Sequence, residues 1–164
     1  MLRTPLNITR KRFVLLASEF NRPITRALVR GAVNVLRRAG ASPARIQLLW
    51  VPGAFELPVV AARFATSRRR PHAIIALGAL IRGQTPQYEV LAHAVAQGLS
   101  QVAVSARIPV TFGIVVATTR AQAHARAGLP RRRRGGEKAG HSVNRGAEAA
   151  MAALAVLRLF ETVR

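Results

Sequence analysis

Cysteine is absent from the 164 residues. Disulfides, thiolate nucleophiles and cysteine-ligated metals are thereby excluded. Aspartate is absent too, so the acidic complement is only Glu19, Glu56, Glu89, Glu137, Glu148 and Glu161. So few carboxylates argue against calcium or magnesium sites. The histidines His72, His93, His124 and His141 have no metal-ligand spacing, and no metal is expected. His72, ahead of a strand, is expected to be exposed, and His93 to share a polar helix side with Gln97 and Gln101. No apolar run reaches the ~20 residues of a membrane span. The basic first residues, Met1 to Lys11, lack the apolar stretch of a secretory signal. A soluble cytoplasmic protein without a membrane partner is expected. Gly-rich nucleotide-binding loops are missing, and Ser18, Ser100 and Ser105 have no nucleophile-elbow context, which argues against a serine hydrolase.

What is abundant is arginine. The formal net charge is +20, and lysine contributes only Lys11 and Lys138. Such a charge attracts nucleic acids and other polyanions without specifying a fold. Two readings stand: a general bias toward solvated arginine, or a polyanion partner bound non-specifically. Trp50 and Tyr88 lie outside the charge runs, so the interleaving of aromatic and basic residues that marks a single-strand binding groove is missing.

Half of the residues are apolar, and the length suits one domain spanning 1–164. Strand-like and helix-like segments alternate. Residues 12–18 form a short apolar run. Residues 23–39 read as a helix, with Pro23 suited to its first turn, Gly40 to its stop, and Ile24, Leu28, Gly31 and Val35 on one face. Strand 46–51 ends at Pro52-Gly53, and a second helix is expected over 55–66. The run AIIALGALI at 73–81 fits a strand buried on both faces. Helix 88–106 carries Leu91, Val95, Leu99 and Val102 on one stripe, and strand 109–117 follows. Thr118 and Thr119 can cap a helix running to about Ala127. Residues 129–143, with Arg131 to Arg134 and three glycines after them, read as a basic inserted loop. The last helix, 147–160, leaves almost no polar face and calls for subunit contact. The alternation predicts an α/β three-layer sandwich around a four-stranded parallel sheet. Ligands in such folds sit beyond the carboxyl ends of the strands.

Two features there are ambiguous by themselves. The turn Arg82 to Thr85 opens a helix, so it is either an anion-holding N-terminus or a simple strand-to-helix turn. Phe20, Phe55 and Phe112 sit at or near strand ends, where phenylalanine caps a core or stacks on a flat heterocycle.

Taken in order, FN at 20–21, VPGAFELP at 51–58, ALGALIRGQT at 76–85, PVTFG at 109–113, QAHARAG at 122–128 and NRGAEAA at 144–150 are far more specific. Together they resemble the 6,7-dimethyl-8-ribityllumazine synthase family, over about residues 12–160. The resemblance implies a flavodoxin-like fold and a step of riboflavin synthesis. In that step 5-amino-6-(D-ribitylamino)uracil condenses with 3,4-dihydroxy-2-butanone 4-phosphate, and no cofactor is needed. It further implies pentamers, or icosahedral shells of pentamers, with the site between neighbouring subunits. By position, Phe20 would stack on the pyrimidine. Ala54, Phe55 and Glu56 would bind the ring edge and ribityl chain. Ala79, Leu80 and Ile81 would offer backbone groups, with Phe112 supplied by the adjacent subunit. Gln84 and Thr85 would bind the butanone phosphate at the helix N-terminus, and Arg126 would add a guanidinium fork.

Two departures from the family pattern stand out. The family's catalytic histidine position holds Gln87, which can make hydrogen bonds but cannot exchange a proton near neutral pH. A slowed enzyme is the expectation, with a non-catalytic, polyanion-binding scaffold as the alternative. The inserted residues 129–143 add bulk and charge where pentamers meet, which favours a free pentamer over a sixty-subunit shell.

Overall fold

The structure is a computed structural model, and it describes residues 7–129 and 143–163. Four strands form one parallel sheet: β1 (Phe13–Ser18), β2 (Ile46–Val51), β3 (Ala73–Ile81) and β4 (Val110–Ala117). Their order is β2-β1-β3-β4. The helices are α1 (Arg22–Arg38), α2 (Leu57–Ala65), α3 (Gln87–Ala106), α4 (Arg120–Arg126) and α5 (Arg145–Thr162). The expected α/β three-layer architecture is the one observed. Almost all of the expected basic loop falls on residues 130–142, which lie outside the described residues.

Strand alternation sorts the core into two layers. Phe13, Leu15 and Ala17 of β1, with Ile75 and Leu77 of β3, pack with α1, α4 and α5. Val14 and Leu16, with Ile74 and Ala76, pack with α2 and α3. Both central strands are buried along nearly their whole length, which explains why β3 reads as an unbroken apolar run.

The connections set the position of the crevice. From β1 the chain crosses by α1 to β2 on one side; from β3 it crosses by α3 to β4 on the other. The order therefore reverses between β1 and β3, and a gap opens beyond their carboxyl ends.

Several boundaries differ from the sequence reading, each for a local reason. Helix α2 begins at Leu57, two residues late, because the Leu57 N–H closes a turn onto the Ala54 carbonyl (3.1 Å). Helix α5 begins early, at Arg145, because Asn144 caps it: its Oδ1 accepts from the Ala147 N–H at 3.0 Å. In α1 the buried face is wider than the four-residue stripe: Ala27, Ala32 and Leu36 are fully buried, whereas Gly31 and Val35 are half-buried. Gly31 is needed because a Cβ there would strike the Asn144 side chain, and Gly146 because a Cβ would strike the Leu28 backbone. Helix α5 is also sided. Ala149, Ala150, Ala153 and Leu157 are buried against α1 and the sheet, while Met151, Ala155 and Leu159 are exposed. His72 is half-buried rather than exposed, for its Nδ1 accepts the Arg12 N–H at 3.0 Å. His93, Gln97 and Gln101 are exposed, as their spacing predicts.

Candidate active site

A cavity of about 420 Å³ occupies the gap beyond β1 and β3. Its first wall is the turn after β1. Asn21 adopts a left-handed conformation (φ 59°), which asparagine tolerates better than most residues. Its Nδ2 donates to the Ala79 carbonyl at 2.9 Å, and the Glu19 N–H donates to the Val51 carbonyl at 2.8 Å. These two bonds tie the turn to β3 and β2. Behind it, the Arg22 guanidinium pairs with Glu19 at 2.9 Å and lies 4.8 Å from the Trp50 ring centre. The turn thus holds Phe20 outward at the cavity mouth, 73% exposed.

The second wall is the turn after β2. Ala54 is buried, Phe55 is 60% exposed, and Glu56 is half-buried, all three lining the cavity. Gly53 keeps this turn open, since a Cβ there would lie 2.8 Å from the Glu56 carboxylate. Two exposed phenylalanines facing one cavity offer a flat aromatic ligand far more than they offer the fold.

The floor is the end of β3. Pairing with β1 stops at Ala17–Leu77, but pairing with β4 continues to Ile81–Ala117. Residues 78–81 therefore have a backbone edge with no strand beside it. Asn21 occupies the Ala79 carbonyl, and by strand alternation Ile81 turns its backbone groups to the same side. Ala79, Leu80 and Ile81 all line the cavity. Next to them the Ser18 hydroxyl is buried with no partner among the described residues, and Gly78 leaves it room: a Cβ there would lie 2.6 Å from it.

The last wall is the start of α3, where Thr85, Gln87 and Tyr88 line the cavity. Pro86 stands at the N-cap and no side chain caps the first turn; the Glu89 N–H turns back onto the Pro86 carbonyl at 3.0 Å, which leaves those of Gln87 and Tyr88 to meet an anion. The Tyr88 hydroxyl donates to Glu89 Oε1 at 2.7 Å. That bond, with burial and the Glu89 charge, pushes the phenol up from its ordinary range against the opposing pull of Arg82. Tyr88 is therefore a neutral hydroxyl near neutral pH.

Three expected residues do not line this cavity. Gln84 is exposed on the turn; Arg126 is exposed on α4; Phe112 lies in the amino half of β4, opposite Ala76. Conversely, Ser18, Asn21 and Tyr88 line it without having been singled out as site residues. Their positions at the end of β1 and the start of α3 are the signal that points to them. Among the described residues no three metal-ligating side chains cluster, and no helix is long and apolar enough to cross a membrane.

A family model described as 6,7-dimethyl-8-ribityllumazine synthase matches residues 10–161. The chain belongs to this family. Relatives carrying the same description include proteins of Gemmatimonas aurantiaca, 44% identical over 92% of this chain and 85% of the relative; of Thermus thermophilus, 38% identical over 93% and 89%; and of Prosthecochloris aestuarii, 42% identical over 96% and 94%. Membership of a riboflavin-biosynthesis family accounts for the fold and for the ordered motifs, which fall on the walls and floor just described and on β4, α4 and α5.

Proposed function

We propose that the chain condenses 5-amino-6-(D-ribitylamino)uracil with 3,4-dihydroxy-2-butanone 4-phosphate to give 6,7-dimethyl-8-ribityllumazine. The observation that carries this reading is the 420 Å³ cavity bounded by two exposed phenylalanines, a free β3 edge and an uncapped helix N-terminus. Phe20 and Phe55 suit a flat pyrimidine. The backbone of 79–81 suits the donor and acceptor pattern of its edge, and Glu56 suits the ribityl hydroxyls. Thr85 and the first N–H groups of α3 suit the phosphate.

In the reaction the pyrimidine amine attacks the ketone and water leaves to form an imine. Phosphate then leaves with a proton from the adjacent carbon, and the resulting enol tautomerises to a ketone; the ribityl-bearing nitrogen attacks that ketone, and a second water leaves as the ring closes. Holding both substrates in register supplies much of the acceleration. Gln87 orients groups by hydrogen bonding without exchanging protons, so the enzyme is slow.

The phosphate site gains a guanidinium if Arg126 comes from a neighbouring subunit, as Phe112 does in this reading. The exposed apolar residues Met151 and Leu159 of α5, and Val116 of β4, support assembly into a pentamer. A second reading, a scaffold without catalysis that binds polyanions, is favoured by Gln87 and the charge of +20.

Equilibrium titration with the ribityl pyrimidine alone tests the site. One molecule should bind per chain, and Phe20→Ala should weaken binding about tenfold, the value of ~1–3 kcal/mol for stacking one base. Failure to bind the pyrimidine would leave the scaffold reading.

A further inference from the structure

A second cavity, of about 630 Å³, lies at the opposite pole, where the chain enters β1, β3 and β4 and where α5 ends. Among the described residues four cationic ones line it, Lys11, Arg12, Arg70 and Arg107, against one carboxylate, Glu161. Its remaining walls are apolar, chiefly Ile108, Pro109, Leu157 and Phe160. We infer that this cavity is a second binding site, for a phosphate monoester with an apolar or aromatic body. The inference is independent of the proposed catalysis.

Two of these cations, Lys11 and Arg12, are held, unlike the solvated arginines of α1 such as Arg26, Arg30 and Arg37; Arg70 and Arg107 are exposed at the rim. The Arg12 Nη2 donates to the Arg70 carbonyl at 2.9 Å, and the Arg12 N–H donates to His72 Nδ1 at 3.0 Å. The His72 N–H returns a bond to the Arg12 carbonyl at 2.8 Å, and Lys11 pairs with Glu161 at 3.2 Å. Yet the Arg12 Nε–H is buried with no acceptor among the described residues. A buried cationic donor without an acceptor is costly and calls for an anion. Arg107 adds a second anomaly. It ends α3 in the left-handed conformation (φ 52°), where glycine or asparagine is usual. The side chain so placed adds a charge to the cavity.

The chemistry of the ligand follows from the lining. Guanidinium forks, that of Arg12 already fixed, suit the tetrahedral oxygens of a phosphate, and the excess of positive charge suits a dianion. The apolar walls and the volume suit a body of small-molecule size. His72 reports on occupancy. Its Nδ1 accepts a hydrogen bond, so the neutral ring carries its proton on Nε2. Burial first, and then Lys11, Arg12, Arg45 and Arg70, hold its pKa below the ordinary range; Arg107 and the Glu161 carboxylate line the same cavity. A bound anion stabilises the imidazolium and raises that pKa.

Imidazole NMR of the full chain, titrated with 1-naphthyl phosphate, tests the site. The His72 resonance should shift saturably and its pKa should rise. Inorganic phosphate should bind at least about tenfold more weakly, because it lacks the apolar body, a difference of ~1.4 kcal/mol. In Arg70→Ala/Arg107→Gly the affinity should fall at least about tenfold. That pair keeps the Arg70 carbonyl and gives the left-handed cap the residue it favours, so the fold is spared. The inference is overturned by an unmoved His72, by equal affinity for the two probes, by an unaffected double variant, or by a response to a short RNA alone.

Discussion

Position 87 holds an amide at the rim of the cavity, where the family resemblance puts a proton-exchanging histidine. The chain's single tyrosine, Tyr88, lines the same cavity, but its hydroxyl is engaged by Glu89 and stays neutral. Gln87→His should therefore raise kcat, by up to the ~10²–10⁴ typical of an acid–base group, and add a pH dependence near the imidazole range. Steady-state kinetics of both forms check this, and an unchanged kcat would mean that proton transfer is not limiting. Phe20, Phe55 and Glu56 were legible because their motifs fix them on turns after strands. Ser18 was not: one serine among several in the chain carries no mark of an unpartnered hydroxyl, which depends on Gly78 of the neighbouring strand β3, sixty residues on in sequence.

At the scale of elements, one side chain joins three of them. Asn144 Nδ2 donates to the Ala27 carbonyl of α1 at 3.0 Å and to the Ala127 carbonyl after α4 at 2.8 Å, while its Oδ1 caps α5. Asn144→Ala should cost about 2–3 kcal/mol, a lost cap plus two lost amide–carbonyl hydrogen bonds. Denaturant unfolding measures it, and a loss below about 0.5 kcal/mol, the range of an ordinary surface change, would contradict the staple. The strand–helix alternation was legible from periodicity, but this staple was not, because its partners are distant in sequence. The same holds for His72, whose partner Arg12 is sixty residues away. Its pKa is lowered in the fold, so the unfolded chain binds the proton more readily. Stability is thus fully present above the unfolded value near 6.5 and is lost as pH falls below it. His72→Asn keeps an acceptor for the Arg12 N–H and should flatten that loss between about pH 7 and pH 5, within the range where histidine titrates. Parallel stability curves for the two proteins would contradict it.

For the whole molecule, charge and apolar surface act in opposite directions. The exposed apolar faces of α5 and β4 favour association, and +20 per chain opposes crowding of many subunits. The proposed pentamer crowds fewer cations together than a closed shell would. Sedimentation at moderate salt, after nuclease treatment, should show it as the main species; a megadalton particle surviving nuclease would contradict it. Any RNA bound at low salt should leave steeply as salt rises. Layers and parallel strands were legible from the pattern. The need for subunit contact was legible in the alanines and leucines of α5 too, but what covers that surface was not, because apolar composition does not specify its cover.

The proposed activity is tested most directly by one initial rate. The purified chain is mixed with 5-amino-6-(D-ribitylamino)uracil and 3,4-dihydroxy-2-butanone 4-phosphate, and lumazine absorbance is followed beside a protein-free control. The cavity geometry predicts a rate that rises in proportion to protein concentration and exceeds the control. A rate equal to the control at every protein concentration would contradict it.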